Sequence, residues 1–144
     1  IGDKNEDVQL NCLNETSSST LRDLNTDSNY FKKKEKYFGK LINEKITVKQ
    51  INFKEYLEKK KLKEIDLLKI DTEGYELEVL KGLKDQISKV SIILFEHHYD
   101  NMIVKNYKFG DIHHVLKNNG FSKVYKIKMP LRKSFDYIYI KKNE

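Results

Sequence analysis

Two hydrophobic periods take turns along this chain. Ile65, Leu67, Leu68 and Ile70 form a short, nearly continuous apolar run. Such a run predicts a parallel strand covered on both faces. Leu77, Leu80, Leu83 and Ile87 then recur at helical spacing, with Val79 widening the stripe. Glu73, Glu76 and Glu78 fall in the first turns and Lys81 and Lys84 near the end, which suits the helix dipole. Val90 to Phe95 is a second buried strand, ending in Glu96-His97-His98. Phe109, Ile112, Val115 and Leu116 mark a helix from about Phe109 to Asn119, stopped by Gly120. Phe121–Ile127 and Phe135–Ile140 alternate as two strands, and the short link MPLRKS makes them antiparallel.

The pattern is weaker upstream. Val8, Leu10 and Cys12 alternate with polar residues, predicting a half-exposed strand over residues 7–13. NETSSST is a polar loop, in which Ser18 and Ser19 could hydrogen-bond a polyol. Tyr30, Phe31, Tyr37, Phe38, Leu41 and Ile42 share one face of a candidate helix around KKKEK. As a flap, its rings would cover a sugar or polyketide. As a surface helix, they would pack on the core, and such stripes are more often packing. Ile46 and Val48 mark a short strand, and Phe53, Tyr56 and Leu57 the apolar side of a following helix.

The 144 residues can bury one core, as a domain or part of one. The single Cys12 excludes an internal disulfide and a multi-cysteine zinc site, and it fits a reducing, cytoplasmic compartment. Net charge is +6, which raises the question of nucleic acid. However, the only arginines are Arg22 and Arg132, and scattered lysines read more simply as a solvated surface. No apolar run is long enough to span a bilayer. Neither nucleic acid nor a membrane is therefore the expected partner.

The strand–helix join, Asp71-Thr72-Glu73-Gly74, delivers two carboxylates to the carboxyl end of a strand, where open α/β sheets bind ligands. The stretch KIDTEGYELEVLKGL closely resembles the K-I-D-x-E-G-x-E-x-x-V-L-x-G signature of FkbM-type methyltransferases, through Lys69, Ile70, Asp71, Glu73, Gly74, Glu76, Val79, Leu80 and Gly82. The flanks agree more loosely. The family usually has Leu-Asp where this chain has Phe53-Lys54. The resemblance implies a Rossmann-like methyltransferase fold, strand order 3-2-1-4-5-7-6, using S-adenosylmethionine. This chain would supply strands 4-5-7-6 with flanking helices. It would thus be the carboxyl-terminal part of one domain: a leader strand, loop and flap helix over residues 1–45, then an α/β core over 46–144. The amino-terminal cofactor half, with its glycine-rich turn, would be missing: the glycines are 2, 39, 74, 82, 110 and 120, without G-x-G spacing.

Methyl transfer to oxygen is an in-line displacement that needs positioning and an acceptor for the hydroxyl proton. Asp71, Glu96 and His97 are the candidate catalytic residues, with Asp71 also beside the cofactor. Glu73, Ser18 and Ser19 are candidates for substrate binding. His97 suits a general base because its ordinary pKa lies near physiological pH. Asp71 could equally be a helix N-cap. An Asp/Glu/His cluster could hold a divalent ion, although no spacing assigns metal ligands. The leading expectation is part of an S-adenosylmethionine-dependent O-methyltransferase acting on a sugar or secondary-metabolite hydroxyl of a small-molecule or glycan acceptor, inactive as this chain alone. The alternatives are a non-catalytic truncated module that binds a partner or glycan, and a Rossmann-like domain with another nucleotide ligand.

Overall fold

The computed structural model describes residues 1–130 and 133–142. Its main sheet has four strands: β3 (Ile65–Ile70), β4 (Val90–His98), β5 (Phe121–Lys128) and β6 (Ser134–Lys141). They lie in the order β3-β4-β6-β5, the order expected for these four segments. β3 and β4 are parallel, and β6 runs antiparallel to both β4 and β5. Leu131 and Arg132, in the link between β5 and β6, lie outside the described residues. A separate antiparallel hairpin joins β1 (Glu6–Leu13) to β2 (Asn43–Gln50).

Three helices cover one face of the main sheet. They are α2 (Phe53–Lys60), α3 (Glu76–Leu83) and α4 (Phe109–Asn118). Phe53 and Leu57 of α2, Leu80 and Leu83 of α3, and Ile112 and Leu116 of α4 bury against Ile70, Ile93, Phe95, Tyr137 and Tyr139. Apolar burial on this scale, about 1.5–3 kcal/mol per large side chain, is what holds the layers together. The opposite face is largely open: Leu67, Tyr125, Ile127 and Ile140 are exposed. This corrects the expectation that Ile65–Ile70 is covered on both faces. β3 is an edge strand among the described residues, and Leu67 is 54% exposed.

A second, smaller core sits beyond the carboxyl ends of β3 and β4. Leu13, Leu41 and Phe31 of α1 (Asn29–Phe38) pack there with Met102 and Ile103. Backbone pairing between Leu24 and Ile103 ties the two segments together. The helix stripe is shorter than its spacing suggests. α1 stops at Gly39, whose φ of 79° breaks the helix; Leu41 buries beyond it, while Tyr37 and Phe38 stay exposed. α3 likewise ends at Leu83, and a 3-10 stretch over Lys84–Lys89 carries the buried Ile87. The leader also touches α3: a Cβ on Gly82 would lie 2.1 Å from the Gly2 carbonyl oxygen.

Candidate functional site

The site is built on the turn that follows β3. Its backbone is left-handed twice in succession, at Glu73 (φ 48°) and Gly74 (φ 97°). A side chain at Gly74 would also meet Ile103 Cγ2 at 2.6 Å, so this glycine serves close packing as well as the turn. Glu76 locks the turn from below. It is 1% exposed, accepts from the Gly74 N–H at 2.9 Å and the Thr72 hydroxyl at 3.2 Å, and takes a further bond from the Tyr107 hydroxyl. The leader locks it from above. The Thr20 hydroxyl donates to the Glu73 carbonyl at 2.6 Å, and Arg22 Nε donates to the Gly74 carbonyl at 3.0 Å. Arg22 also pairs with Glu78 and lies over the Tyr75 ring. Thr20 and Arg22 were not singled out from sequence, where nothing marks a partner some fifty residues away.

Asp71 does not cap α3. Tyr75 precedes that helix and offers no side-chain cap, whereas Asp71 pairs with Lys69 at 3.0 Å and stays partly exposed. Glu73 points into the protein and is 7% exposed. Burial pushes its carboxyl up to about 7; His98 opposes this, and Glu96 and Asp71 add to it. Glu96 and His98, alternate residues of β4, reach the same place. His98 Nε2 lies 3.2 Å from Glu73 Oε2 and 3.5 Å from Glu96 Oε1. Asp100 Oδ2 stands 3.4 Å from the other ring nitrogen, Nδ1. Burial works to lower the His98 pKa, but these carboxylates outweigh it and the net direction is upward. Asp136 sits directly across from Glu96 in the β4–β6 pairing, and burial together with that neighbouring charge raises its pKa.

The expected quartet is therefore brought together only in part. Asp71, Glu73 and Glu96 share one region. His97 points to the opposite face of β4, with its ring packed against Tyr99 (4.9 Å), Phe109 (5.8 Å) and Tyr107 (5.9 Å). Burial drives its pKa down to about 4, helped by the Lys105 charge. His98 takes the place beside Glu96. The signal for this was present: consecutive strand residues face opposite ways, so Glu96 shares a face with residue 98.

Ser18 is 3% exposed, and its hydroxyl accepts from the buried Lys34 ammonium, which also bonds Glu15 at 2.8 Å. Ser19 remains partly exposed in the same loop. Two hollows flank α1. One, of about 650 Å³, is walled by Tyr30, Tyr37, Phe38, Lys33, Lys34 and Glu15. The other, of about 690 Å³, includes Lys32, Lys36, Tyr99 and Asp100. Asp100, in the wall of the second hollow, also faces His98 of the carboxylate–histidine cluster.

The methyltransferase FkbM domain model matches residues 1–123. Over 53 residues the chain is 36% identical to the hexuronic acid methyltransferase AglP of Haloferax volcanii, a segment that covers 37% of this chain and 22% of that enzyme. The match thus spans about a fifth of the relative's length. No solved structure matches.

Proposed function

Because the chain belongs to the FkbM methyltransferase family, we propose that it forms the carboxyl-terminal part of a Rossmann-like, S-adenosylmethionine-dependent O-methyltransferase domain of the cytoplasm. One observation carries this reading: the family motif's carboxylates, Asp71 and Glu73, stand at the carboxyl end of β3, beside its parallel neighbour β4.

The acceptor we propose is a sugar hydroxyl, on a uronate-bearing glycan. The relative's name supplies the precedent. The hollow beside α1 supplies the chemistry: exposed Tyr37 and Phe38 offer faces for a sugar ring, and Lys33 offers a counter-charge for a carboxylate. Asp71 remains the proposed proton-handling group, with Glu96 beside it at the end of β4. Glu73 helps to shape their field, with Ser19 at the loop edge and Ser18 holding Lys34. His97, nearly neutral at physiological pH and enclosed by rings, would support the β4 end by packing.

The described residues do not by themselves form a cradle for the methyl donor. No glycine-rich turn follows a strand, and Gly74 is filled against Ile103. No step is therefore derived through the donor. What supports a donor half on further strands is the open edge of β3. The test is calorimetric titration with S-adenosylmethionine, on this chain and on one extended upstream in its reading frame. The 144-residue chain should show no saturable binding. The extended chain should bind and methylate a uronate oligosaccharide, and Asp71→Asn should slow transfer at least about tenfold, roughly 1.4 kcal/mol or more of barrier. An extended chain that binds no donor would refute the reading.

A further inference from the structure

We propose that Glu73, Glu96 and His98 form a binding site for a first-row divalent transition-metal ion, with Asp100 orienting the histidine. The three residues are 7%, 6% and 6% exposed, and one donor atom of each lies within 4.8 Å of the others. Burying two carboxylates together is unfavourable unless something compensates them. Hydrogen bonds do not: Glu73 Oε2, Glu96 Oε1 and His98 Nε2 are all buried, and none has a hydrogen-bond partner among the described residues. The imidazole nitrogen is close to both carboxylates but directed at neither.

That spacing suits a shared ion. Two donors each about 2.1 Å from one metal stand about 3.4 Å apart at a tetrahedral angle. His98 Nε2 lies 3.2 Å and 3.5 Å from its two neighbours. The other ring nitrogen completes the pattern. Asp100 Oδ2, also buried without a hydrogen-bond partner among the described residues, is 3.4 Å from Nδ1, near enough to close onto it once the ring is fixed, and Asp100 is itself held by the Met102 N–H on its Oδ1 at 3.0 Å. A carboxylate behind a ligating histidine fixes the tautomer that leaves Nε2 free to bind metal. One imidazole with two carboxylates favours Zn²⁺, Co²⁺ or Mn²⁺ over Mg²⁺ and Ca²⁺, which take oxygen donors. Three protein ligands also leave a position for water or an acceptor oxygen. Binding of the ion does not rest on the methyltransferase reading and is measured without donor or acceptor.

The test uses the untagged 144-residue chain, freed of metal with a chelator and titrated with Co²⁺ by calorimetry and visible absorption. One equivalent should bind saturably with a d–d spectrum, be displaced by Zn²⁺, and resist displacement by equal Mg²⁺. Glu73→Gln, Glu96→Gln and His98→Ala should each weaken binding at least about tenfold, as should Asp100→Asn, while the exposed His114→Ala changes it less than about twofold. Circular dichroism checks that each variant folds. Where one does not, the rise in wild-type melting temperature with Zn²⁺ supplies an independent readout. No saturable uptake by the wild type would overturn the proposal. So would uptake that survives all three ligand substitutions, Mg²⁺ binding as tight as Co²⁺, or a His98 that stays an imidazolium at neutral pH with Co²⁺ present.

Discussion

At the scale of single residues, the turn after β3 shows why a short motif can carry so much geometry. Asp71 and Glu73 reach different environments two positions apart because Glu73 and Gly74 both adopt positive φ. Gly74 is the less replaceable. Alanine there would combine a left-handed backbone, about 1–2 kcal/mol, with a Cβ driven against Ile103, about 1–3 kcal/mol. Gly74→Ala should therefore cost about 2–5 kcal/mol in urea unfolding, and a loss under about 1 kcal/mol would show that the turn relaxes freely. Asp71 and Glu73 were legible as candidates because a strand end and a family motif coincide there. The histidine was not, because the eye groups Glu96 with its neighbour His97. The two-residue period of a strand pairs it with His98, and only the register of β4 against the turn shows which face carries the site.

At the scale of elements, most strands and helices were legible, since each needs only its own periodicity. The leader's own strand and helix were among them, but its contacts with the rest of the chain were not, because they are long-range. Thr20 and Arg22 reach the β3 turn through polar side chains, and Lys34 of α1 bonds Glu15, contacts that leave no hydrophobic period to read. Lys34 shows how this works: a lysine inside a KKK run, it is 6% exposed and bonds Glu15 and Ser18. Burial works to raise the Glu15 pKa, but Lys34 and Ser17 outweigh it and hold the carboxyl below its ordinary value. The sign follows. A carboxylate with a depressed folded pKa stabilises the fold fully above its unfolded value, and that stability drains as pH falls through the folded one. Glu15→Gln should thus destabilise the chain by about 2 kcal/mol at pH 7, by stranding a mostly buried ammonium. Wild type and variant should converge in acid, below the ordinary value of 4.5. Thermal melts at pH 7 and pH 3 measure the gap; an equal gap at both would mean that the Glu15 charge is not what holds Lys34.

At the scale of the whole molecule, the sheet order was legible because a terminal hairpin behind strand–helix alternation leaves few arrangements. The exposure of β3 was not: an apolar run looks the same whether or not its partners are present. Among the described residues the leader does not pair with that edge; β1 pairs with β2 in a separate hairpin instead. β3 therefore presents unpaired N–H and C=O groups beside Leu67, on a face that also exposes Ile140, Tyr125 and Ile127. An uncovered edge strand templates pairing with another chain, and here only Asp66 and Lys69 put charge beside the exposed Leu67. The overall charge does little against it at long range: the net +6 is spread over the surface, and screening confines each lysine's field to about 10 Å at 0.1 M salt, so a charge has to sit on the edge itself to oppose pairing. The purified 144-residue chain should accordingly self-associate in sedimentation velocity as its concentration rises. Leu67→Lys places a charge on the exposed face without touching the buried Ile70 or Ile93, so it should shift the distribution toward monomer and leave the melting temperature within about 2 °C, the span expected for a surface change below about 0.5 kcal/mol. A wild-type chain that stays monomeric at high concentration would show that the edge is protected by something other than pairing. A Leu67→Lys chain that unfolds would show that Leu67 already packs against a partner.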